Sequence, residues 1–278
     1  MTQAQPLAPQ GREIPLSGSI VQIKSGLNLG VRMKFLTTDS GRRIAYAQSK
    51  GSGPGVVFLG GFMSDMTGTK ALHLEAWCKA KGRGFLRFDY SGHGESEGAF
   101  TDGAIGDWFE DAVAALGLIA GKLILVGSSM GGWISLLVAR EMPKRIAGLV
   151  TIAAAPDFTE DSMWAGFSDA QKAELAAGQV ALPSDYGEPY IITKRLIEEG
   201  RGRLVLRAPL NLPFPVRFLQ GTADADVSMD VALRLLAHTT GDDMRLTLVD
   251  GADHRFSDET CLDLISTTVA DVIKVGCV

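Results

Sequence analysis

The sequence predicts an α/β domain built on a doubly wound, mostly parallel sheet. Short, nearly continuous apolar runs alternate with segments of helical period, as in parallel strands joined by helices that cover both faces. With 278 residues and 46% hydrophobic side chains, the chain has enough apolar material for one large core and is too apolar for a disordered polymer. The predicted central strands are 56–59, 84–88, 123–126, 149–152, 216–219 and 246–249.

The other elements of the predicted core follow in chain order. Residues 1–17 carry three prolines and are predicted to form a flexible tail. The runs 33–38 and 44–48, on either side of an Asp-Ser-Gly turn, predict an antiparallel hairpin at one edge of the sheet. Ser257 is the predicted N-cap of the last helix. Apolar stripes at helical spacing predict helices that contain Ala71/Leu74/Trp77/Cys78, Ile105/Phe109/Ala112/Leu116/Ile119 and Leu262/Ile265/Val269.

Residues 156–215 interrupt the alternation of strands and helices. This stretch of 60 residues is longer than a simple crossover needs, so it is predicted to form a crossover helix and a small helical cap, with a charged helix around 191–199. The core then consists of residues 18–155 and 216–278. Met163, Trp164 and Phe167 in the cap are predicted to bind substrate, and ordinary packing inside the cap is the alternative for each of them.

The cap also contains a run of cations. Five basic residues fall within fourteen positions: Lys194, Arg195, Arg201, Arg203 and Arg207. Such a run is typical of a solvated helix face. The alternative hypothesis is that part of it lies at the mouth of the site and attracts an anionic leaving group, because guanidinium groups bind carboxylate and phosphate oxygens in pairs.

A nucleophile motif follows the strand 123–126. Residues 127–131 read Gly-Ser-Ser-Met-Gly, which matches G-x-S-x-G, and a helical segment follows. This context lifts the Ser129 hydroxyl above the sheet and places the Met130 N–H at a helix N-terminus, where it can stabilise an oxyanion. A glycine-rich turn without chemistry can have the same pentapeptide, so the motif needs partners elsewhere in the chain.

Candidate partners stand at the ends of later strands. Asp224 lies in a Gly-Thr-Ala-Asp-Ala-Asp-Val loop after strand 216–219, and His254 follows strand 246–249. A serine, an acid and a histidine in this chain order, at the carboxyl ends of parallel strands, predict a Ser129–His254–Asp224 triad. Asp226 is the alternative acid, and the spacing of the loop favours Asp224.

The loop after the first central strand contains a second candidate oxyanion donor. Residues 60–64 read Gly-Gly-Phe-Met-Ser, and glycines let the backbone turn its N–H groups toward the nucleophile. The Phe62 N–H is therefore the predicted donor. The glycine-rich segment 89–96 also follows a strand, and we interpret it as a structural turn that supports this loop.

From about residue 30 to residue 275, the chain resembles the serine hydrolases of the α/β-hydrolase fold family. It is most similar to the branch that contains mitochondrial palmitoyl-protein thioesterases and acyl-glucuronide esterases. The segments that carry this likeness are 68–71, 88–92, 126–133 and 253–255. The resemblance implies an α/β-hydrolase fold with an inserted helical cap, a serine nucleophile and an acyl-enzyme intermediate.

The predicted reaction is hydrolysis of a carboxylic ester or a thioester. The substrate would be a small acyl ester, an acyl-CoA or an acylated protein. No metal or other cofactor is expected, because H-E-x-x-H, C-x-x-C, dinucleotide and Walker patterns do not occur in the sequence. Two alternatives stay open. The same triad serves cofactor-free perhydrolases and C–C bond hydrolases, and a non-catalytic binding protein can have the same fold.

Charge and composition limit the partners further. Lys and Arg total 27 against 32 Asp and Glu, so the whole chain lacks the basic field that nucleic-acid binding needs. The uncharged run 123–139 has the nucleophile turn at its centre, and no membrane span is expected. Three cysteines without a C-x-x-C motif, and few cations before Arg32, predict a cytoplasmic protein.

Overall fold

The computed structural model describes residues 32–183 and 189–276. The predicted tail 1–17 lies outside the described residues. The strands are β1 (Lys34–Thr37), β2 (Arg43–Ser49), β3 (Ser52–Leu59), β4 (Arg83–Phe88), β5 (Leu123–Ser128), β6 (Ile146–Ile152), β7 (Gln179–Leu182), β8 (Tyr190–Thr193), β9 (Leu210–Asn211), β10 (Val216–Gly221), β11 (Thr239–Thr240) and β12 (Met244–Val249). The α-helices are α1 (Thr69–Ala80), α2 (Ile105–Leu116), α3 (Met130–Glu141), α4 (Asp169–Ala176), α5 (Lys194–Arg201), α6 (Met229–His238) and α7 (Glu259–Gly276).

A mostly parallel sheet forms the centre of the described chain. Its eight strands lie in the order β1-β2-β4-β3-β5-β6-β10-β12. The β1–β2 and β2–β4 pairs are antiparallel and the other neighbours are parallel, which confirms the predicted sheet and its edge hairpin. Gly41 in the hairpin turn has a φ of 82°, a conformation that glycine adopts without steric cost.

Two apolar cores cover the two faces of this sheet. Along β3, Val57 and Leu59 pack with residues of α2 and α3, whereas Val56 and Phe58 pack with residues of α1 and α7. Successive side chains of a strand point to opposite faces, so a strand buried on both sides needs an unbroken apolar sequence. This is why the central strands are visible as continuous apolar runs.

The last helix begins one residue later than a cap at Ser257 requires. α7 starts at Glu259, and the side chain of Asp258 accepts a hydrogen bond from the N–H of Cys261 at 2.9 Å. Asp258 rather than Ser257 therefore caps the helix. Both residue types are good caps, and the sequence alone does not decide between neighbouring candidates.

Residues 156–215 lie between β6 and β10. They contain a π-helical turn (Thr159–Trp164), the helices α4 and α5, and the antiparallel pair β7–β8. The charged helix predicted around 191–199 begins only at Lys194, because the aromatic and β-branched run 190–193 forms β8 instead. The Thr193 hydroxyl accepts the N–H of Leu196 and caps α5.

Within the described ranges, no helix combines the length and the apolar character that crossing a bilayer requires.

Candidate active site

Ser129 lies in the tight turn between β5 and α3. Its φ of 54° and ψ of −119° are unusual for a residue with a side chain, so the turn is strained. The glycines around it permit close packing of the backbone. A Cβ added at Gly127 would lie 2.3 Å from the carbonyl oxygen of Gly131, and one added at Gly131 would lie 2.1 Å from that of Leu59. The small residues of the motif are thus required by backbone crowding.

The hydroxyl of Ser129 lies within hydrogen-bond distance of a histidine. Nε2 of His254, in the loop between β12 and α7, is 3.1 Å from Ser129 Oγ. The other ring nitrogen, Nδ1, is 2.9 Å from Oδ2 of Asp224, in the loop after β10. The structure therefore brings together the three side chains that the sequence patterns select, although 125 residues separate Ser129 from His254.

The side chain of Asp224 is buried and accepts several hydrogen bonds. Its carboxylate accepts hydrogen bonds from the side chain of Gln220 and from the N–H groups of Asp226 and Val227, at 2.8 to 3.0 Å. Burial opposes ionisation, but the hydrogen bonds from His254 and from the N–H of Val227 outweigh it and hold the pKa of Asp224 below its usual value. Asp224 is therefore a carboxylate at neutral pH. Asp226 is exposed and supplies only its backbone N–H to this arrangement.

The two predicted oxyanion donors, the N–H groups of Phe62 and Met130, belong to segments that adjoin Ser129. Met130 is the first residue of α3, so its N–H has no acceptor within the helix. The loop after β3 approaches closely, because a Cβ added at Gly61 would be 3.3 Å from Ser129 Cβ. Among the described residues, neither Phe62 nor Met130 donates one of the backbone hydrogen bonds of turns and loops. The loop that contains Phe62 and the start of α3 therefore both adjoin Ser129, and the role of the two N–H groups as oxyanion donors stays a prediction.

The Phe62 ring is held on two sides. It makes edge-to-face contacts with Phe100 and Trp108, at centroid distances of 4.9 and 6.0 Å. It also contacts Phe158 and Tyr190 in the segment 156–215, at 5.5 and 6.4 Å. Such contacts stabilise ring orientation in addition to burying apolar area. The loop that carries the Phe62 N–H is therefore anchored both to the α/β core and to the cap.

The turn 89–96 is hydrogen-bonded to the loop after β3. The carboxylate of Asp89 accepts the N–H of Met66 at 2.6 Å and the N–H of Glu95 at 2.9 Å. It therefore ties the end of the loop after β3 to the glycine-rich turn. These contacts agree with the interpretation of this segment as structural.

A cavity of about 360 Å³ opens beside Ser129. The loop after β3, the start of α1 and residues 254–257 form most of its wall. Its charged or ionisable lining residues are Asp65, Lys70, His254 and Arg255. No chemical motif in the sequence singles out Lys70. The resemblance in segment 68–71 is the one signal that points to it, since a lone lysine at a helix start has no distinctive pattern.

The predicted substrate-binding residues of the cap lie elsewhere. Phe167 is buried in the cap, and Trp164 packs edge-on against it at a centroid distance of 6.4 Å. The guanidinium of Arg201 lies 4.7 Å from the centre of the Trp164 ring. Met163, Trp164 and Phe167 are not among the residues that line the cavity beside Ser129. The structure therefore does not bring them to the candidate site and places them in packing contacts of the cap.

The basic run of the cap is paired with carboxylates. The ion pairs are Lys194–Glu198, Arg195–Asp107, Arg201–Glu160, Arg203–Glu199 and Arg207–Asp161. None of these five cations lines the cavity beside Ser129. Their placement supports the interpretation as a solvated face and gives no support to a role in attracting the leaving group.

One group of possible metal ligands occurs in the described part of the chain. Asp224, Asp226 and His254 each place a ligand atom within 4.8 Å of the others. The carboxylate of Asp224 already lies at hydrogen-bond distance from Nδ1 of His254. The contact between these two side chains is the one that a Ser-His-Asp site requires, and we assign no metal to it.

Comparison with known proteins identifies relatives over most of the chain. The family model described as serine aminopeptidase, S33, matches residues 55–194. The mitochondrial palmitoyl-protein thioesterase ABHD10 of Rattus norvegicus is 34% identical over 87% of this chain and 82% of its own length. The Homo sapiens protein of the same name is 32% identical, over 87% of this chain and 80% of its own length.

Two solved structures agree with these matches. A protein from Agrobacterium vitis S4 superposes with a TM-score of 0.84 and 41% identity, covering 87% of this chain and 99% of its own. Alpha/beta hydrolase domain-containing protein 10 from mouse superposes with a TM-score of 0.81 and 32% identity, covering 87% of this chain and 98% of its own.

The prediction of a cytoplasmic location is wrong. The mammalian relatives are all named as mitochondrial proteins, which contradicts it. The prediction used the absence of a cysteine-pairing motif and the scarcity of early cations. A reducing environment is not peculiar to the cytoplasm, so the cysteine content could not separate the two locations.

The resemblance to the α/β-hydrolase fold family, and to one branch of it, is confirmed. The sheet order, the strained serine turn and the loop positions agree with an α/β-hydrolase fold, and the matched relatives cover more than four fifths of this chain. The chain therefore belongs to the α/β-hydrolase family, in the branch that includes ABHD10.

Proposed function

We propose that this protein is a serine hydrolase that cleaves a carboxylic ester or a thioester through an acyl-enzyme on Ser129. The observation that carries the proposal is the chain of contacts from Ser129 Oγ through His254 to Asp224, at 3.1 and 2.9 Å. A hydroxyl is a weak nucleophile at neutral pH and needs an adjacent base that is itself oriented by a third group. These contacts have that form.

The first half-reaction transfers the acyl group to the enzyme. His254 Nε2 accepts the proton of Ser129 as Oγ attacks the acyl carbon, and the carbonyl oxygen becomes an oxyanion. Asp224 accepts a hydrogen bond from Nδ1–H, which keeps Nε2 free as the base and stabilises the imidazolium. The tetrahedral intermediate then collapses. The leaving alkoxide or thiolate takes the proton from Nε2 and departs as an alcohol or thiol.

The second half-reaction releases the acid. Water gives a proton to His254 Nε2 and attacks the acyl carbon, and the bond to Ser129 Oγ breaks as Nε2 returns the proton to the serine. The Phe62 and Met130 N–H groups stabilise the oxyanion in both steps. In comparable sites one such donor lowers the barrier by about 3–4 kcal/mol.

The substrate class follows from the relatives and the cavity. The ABHD10 relatives are named palmitoyl-protein thioesterases, which supports a thioester as one substrate. The wall beside Ser129 combines apolar surface, which includes Phe58 and Phe62, with the polar side chains of Ser64, Asp65, Lys70 and Arg255. We infer that acyl esters, acyl-CoA thioesters and S-acylated peptides are the compounds to compare.

A hydrolysis panel tests the proposal. Wild type is assayed on 4-nitrophenyl esters, acyl-CoA thioesters and S-acyl cysteine peptides of increasing chain length, with Ser129→Ala as the control. We expect hydrolysis of at least one series and a loss of about 10⁴-fold or more in kcat for Ser129→Ala. No hydrolysis of any series by folded wild type, or full activity of Ser129→Ala, would refute the proposed function.

A further inference from the structure

Lys70 stands on the wall of the candidate site. It is the second residue of α1, and its side chain lines the cavity together with Ser129 and His254. Its ammonium donates a hydrogen bond to the backbone carbonyl of Arg255, the residue after His254. This contact joins positions 185 residues apart in the chain. It brings a lysine cation to the loop that carries the candidate base.

Within the described part of the chain, the ammonium of Lys70 donates one hydrogen bond to the protein. An ammonium group has three N–H donors, and the Arg255 carbonyl occupies one of them. Among the described residues, no carboxylate forms an ion pair with Lys70, whereas each of the five cations of the basic run has one. The half-buried ammonium therefore retains donors for a group that enters the cavity.

The electrostatic setting favours an anionic ligand. Burial lowers the pKa of Lys70 to about 8, with the charges of Asp253 and Asp224 acting in the opposite direction and that of Arg255 in the same one. Lys70 is therefore mostly protonated at pH 7. A cation that has lost part of its hydration, with no ion-pair partner, gains from a carboxylate or phosphate oxygen at hydrogen-bond distance.

We propose that Lys70 is a specificity-determining residue that binds an anionic group of the substrate close to the scissile bond. The substrate class is thus an acyl ester or thioester that carries a carboxylate or phosphate, on its leaving group or on its acyl group. This inference rests on the proposed hydrolysis at Ser129 and adds which of its possible substrates the site prefers.

Three esters with a common reactive group test the inference. They are 4-nitrophenyl butyrate, which is neutral, 3-carboxy-4-nitrophenyl butyrate, with the charge on the leaving group, and mono-4-nitrophenyl glutarate, with the charge on the acyl group. The readout is the ratio of kcat/KM for each anionic ester to kcat/KM for the neutral one. A ratio cancels effects that are common to all three substrates, such as a displaced catalytic base.

The variants are Lys70→Met, Lys70→Gln, Lys70→Arg and the control Lys194→Met. Lys194 pairs with Glu198 outside the cavity, so its replacement removes one cation from the protein without touching the site. We expect Lys70→Met and Lys70→Gln to lower the ratio about tenfold for one anionic ester, which corresponds to about 1.4 kcal/mol. Lys70→Arg and Lys194→Met should keep it, and thermal unfolding checks that each variant is folded.

A pH series gives a second readout. As the pH rises through about 8, Lys70 loses its proton, so the wild-type ratio should fall. In Lys70→Arg the cation persists and the ratio should stay level through the same range. The charged or ionisable groups that face Lys70 or share its cavity are Asp65, Asp224, Asp253, His254, Arg255 and Cys261.

The outcomes separate this inference from the proposed function. Equal losses for neutral and anionic esters in both neutral Lys70 variants would make Lys70 only a tie that holds the loop after His254, and would overturn the inference. So would a ratio that no Lys70 variant changes for either anionic ester. If the wild type cleaves another series of the hydrolysis panel but none of these three esters, the inferred preference for an anionic ester is overturned while hydrolysis at Ser129 stands. If it cleaves no series at all, hydrolysis at Ser129 is refuted, and the inference with it.

Discussion

Asp224 and Asp226 lie two positions apart in one loop but in opposite settings. The side chain of Asp224 is fully buried against His254, whereas Asp226 is exposed. In Asp224→Asn the amide nitrogen can donate to Nδ1 and so favours the tautomer with a proton on Nε2, which cannot accept the proton of Ser129. We expect kcat to fall by about 10³–10⁴-fold on any substrate of the wild type.

The matched control is Asp226→Asn, which removes the same charge from the same loop. Its activity should stay close to that of the wild type, and circular dichroism should show both variants folded. A larger loss in Asp226→Asn than in Asp224→Asn would transfer the role of the acid to Asp226.

The candidate site is only partly predictable at the scale of single residues. Ser129, Asp224 and His254 are recognisable because each belongs to a residue type with a special chemistry at the end of a predicted strand. Lys70 has no such mark, since its place in the cavity depends on the approach of Arg255 from the far end of the chain. Met163 and Trp164, in contrast, were predicted to bind substrate but do not line the cavity. Their apolar character suits a substrate pocket and the interior of a cap equally well, and only the packing distinguishes the two.

The backbone crowding around the serine turn, at the junction of β5 with α3, can be tested by adding one methyl group. In Gly131→Ala the new methyl group would lie 2.1 Å and 2.5 Å from the carbonyl oxygens of Leu59 and Gly60, which are backbone atoms that cannot rotate away. We expect this variant to lose about 1–3 kcal/mol in the free energy of unfolding, measured by urea titration.

Gly166→Ala is the control for the effect that an added methyl group has on stability where there is room for it. A Cβ at Gly166 would have no neighbour within 4 Å, and Gly166 does not have a positive φ. Its unfolding midpoint should equal or exceed that of the wild type, because alanine restricts the unfolded chain more than glycine does. Equal midpoints for the two variants would contradict the crowding that we describe.

One buried carboxylate, that of Asp157, connects the two ends of the segment 156–215. Asp157 accepts hydrogen bonds from the N–H groups of Val205 and Leu206, at 2.8 and 2.9 Å, and its side chain is fully buried. Asp157→Ala leaves these two donors without their partner, at a cost of about 1–3 kcal/mol for each. Hydrogen exchange should therefore accelerate in residues 156–210 more than in the central strands.

Asp169→Ala is the comparison for Asp157→Ala. Asp169 is an exposed residue in the first turn of α4, so its removal should affect exchange only locally. If both variants exchanged alike across the segment, Asp157 would not be its anchor.

Strands were predictable from the sequence where both of their faces are buried. The strands β3, β5 and β6 are enclosed by helices on both sides, so their sequences are apolar throughout. The short strand β8 has no such signature. Among the described strands its partner is β7, and α5 follows it directly. The charged residues of that helix suggested a helical start three residues too early.

At the scale of the whole molecule, the fold shields the thiols of Cys78 and Cys261 from alkylation. Cys78 and Cys261 lie in the core between the sheet and the helices α1 and α7, and both are at most 1% exposed. Burial raises the pKa of each to about 12, so both are neutral thiols at pH 8, where only a thiolate reacts rapidly. We expect iodoacetamide to modify them only as fast as the protein opens.

Peptide-level mass spectrometry measures this protection and separates the two sites from Cys277, which lies outside the described residues. Modification of Cys78 and Cys261 should rise together along the urea unfolding transition. Rapid labelling of either residue in buffer would show that this core is open in the native protein.

Labelling with a fluorophosphonate, followed by peptide mass mapping, identifies the nucleophilic residue, which we propose is Ser129. A triad activates one hydroxyl far above all others, so we predict one phosphonyl adduct per chain, on Ser129. The adduct should be lost in Ser129→Ala and kept in Ser128→Ala, since the neighbouring serine is buried at the end of β5. An adduct on Ser128 or on any other residue, or no adduct on protein that hydrolyses esters, would show that Ser129 is not the nucleophile.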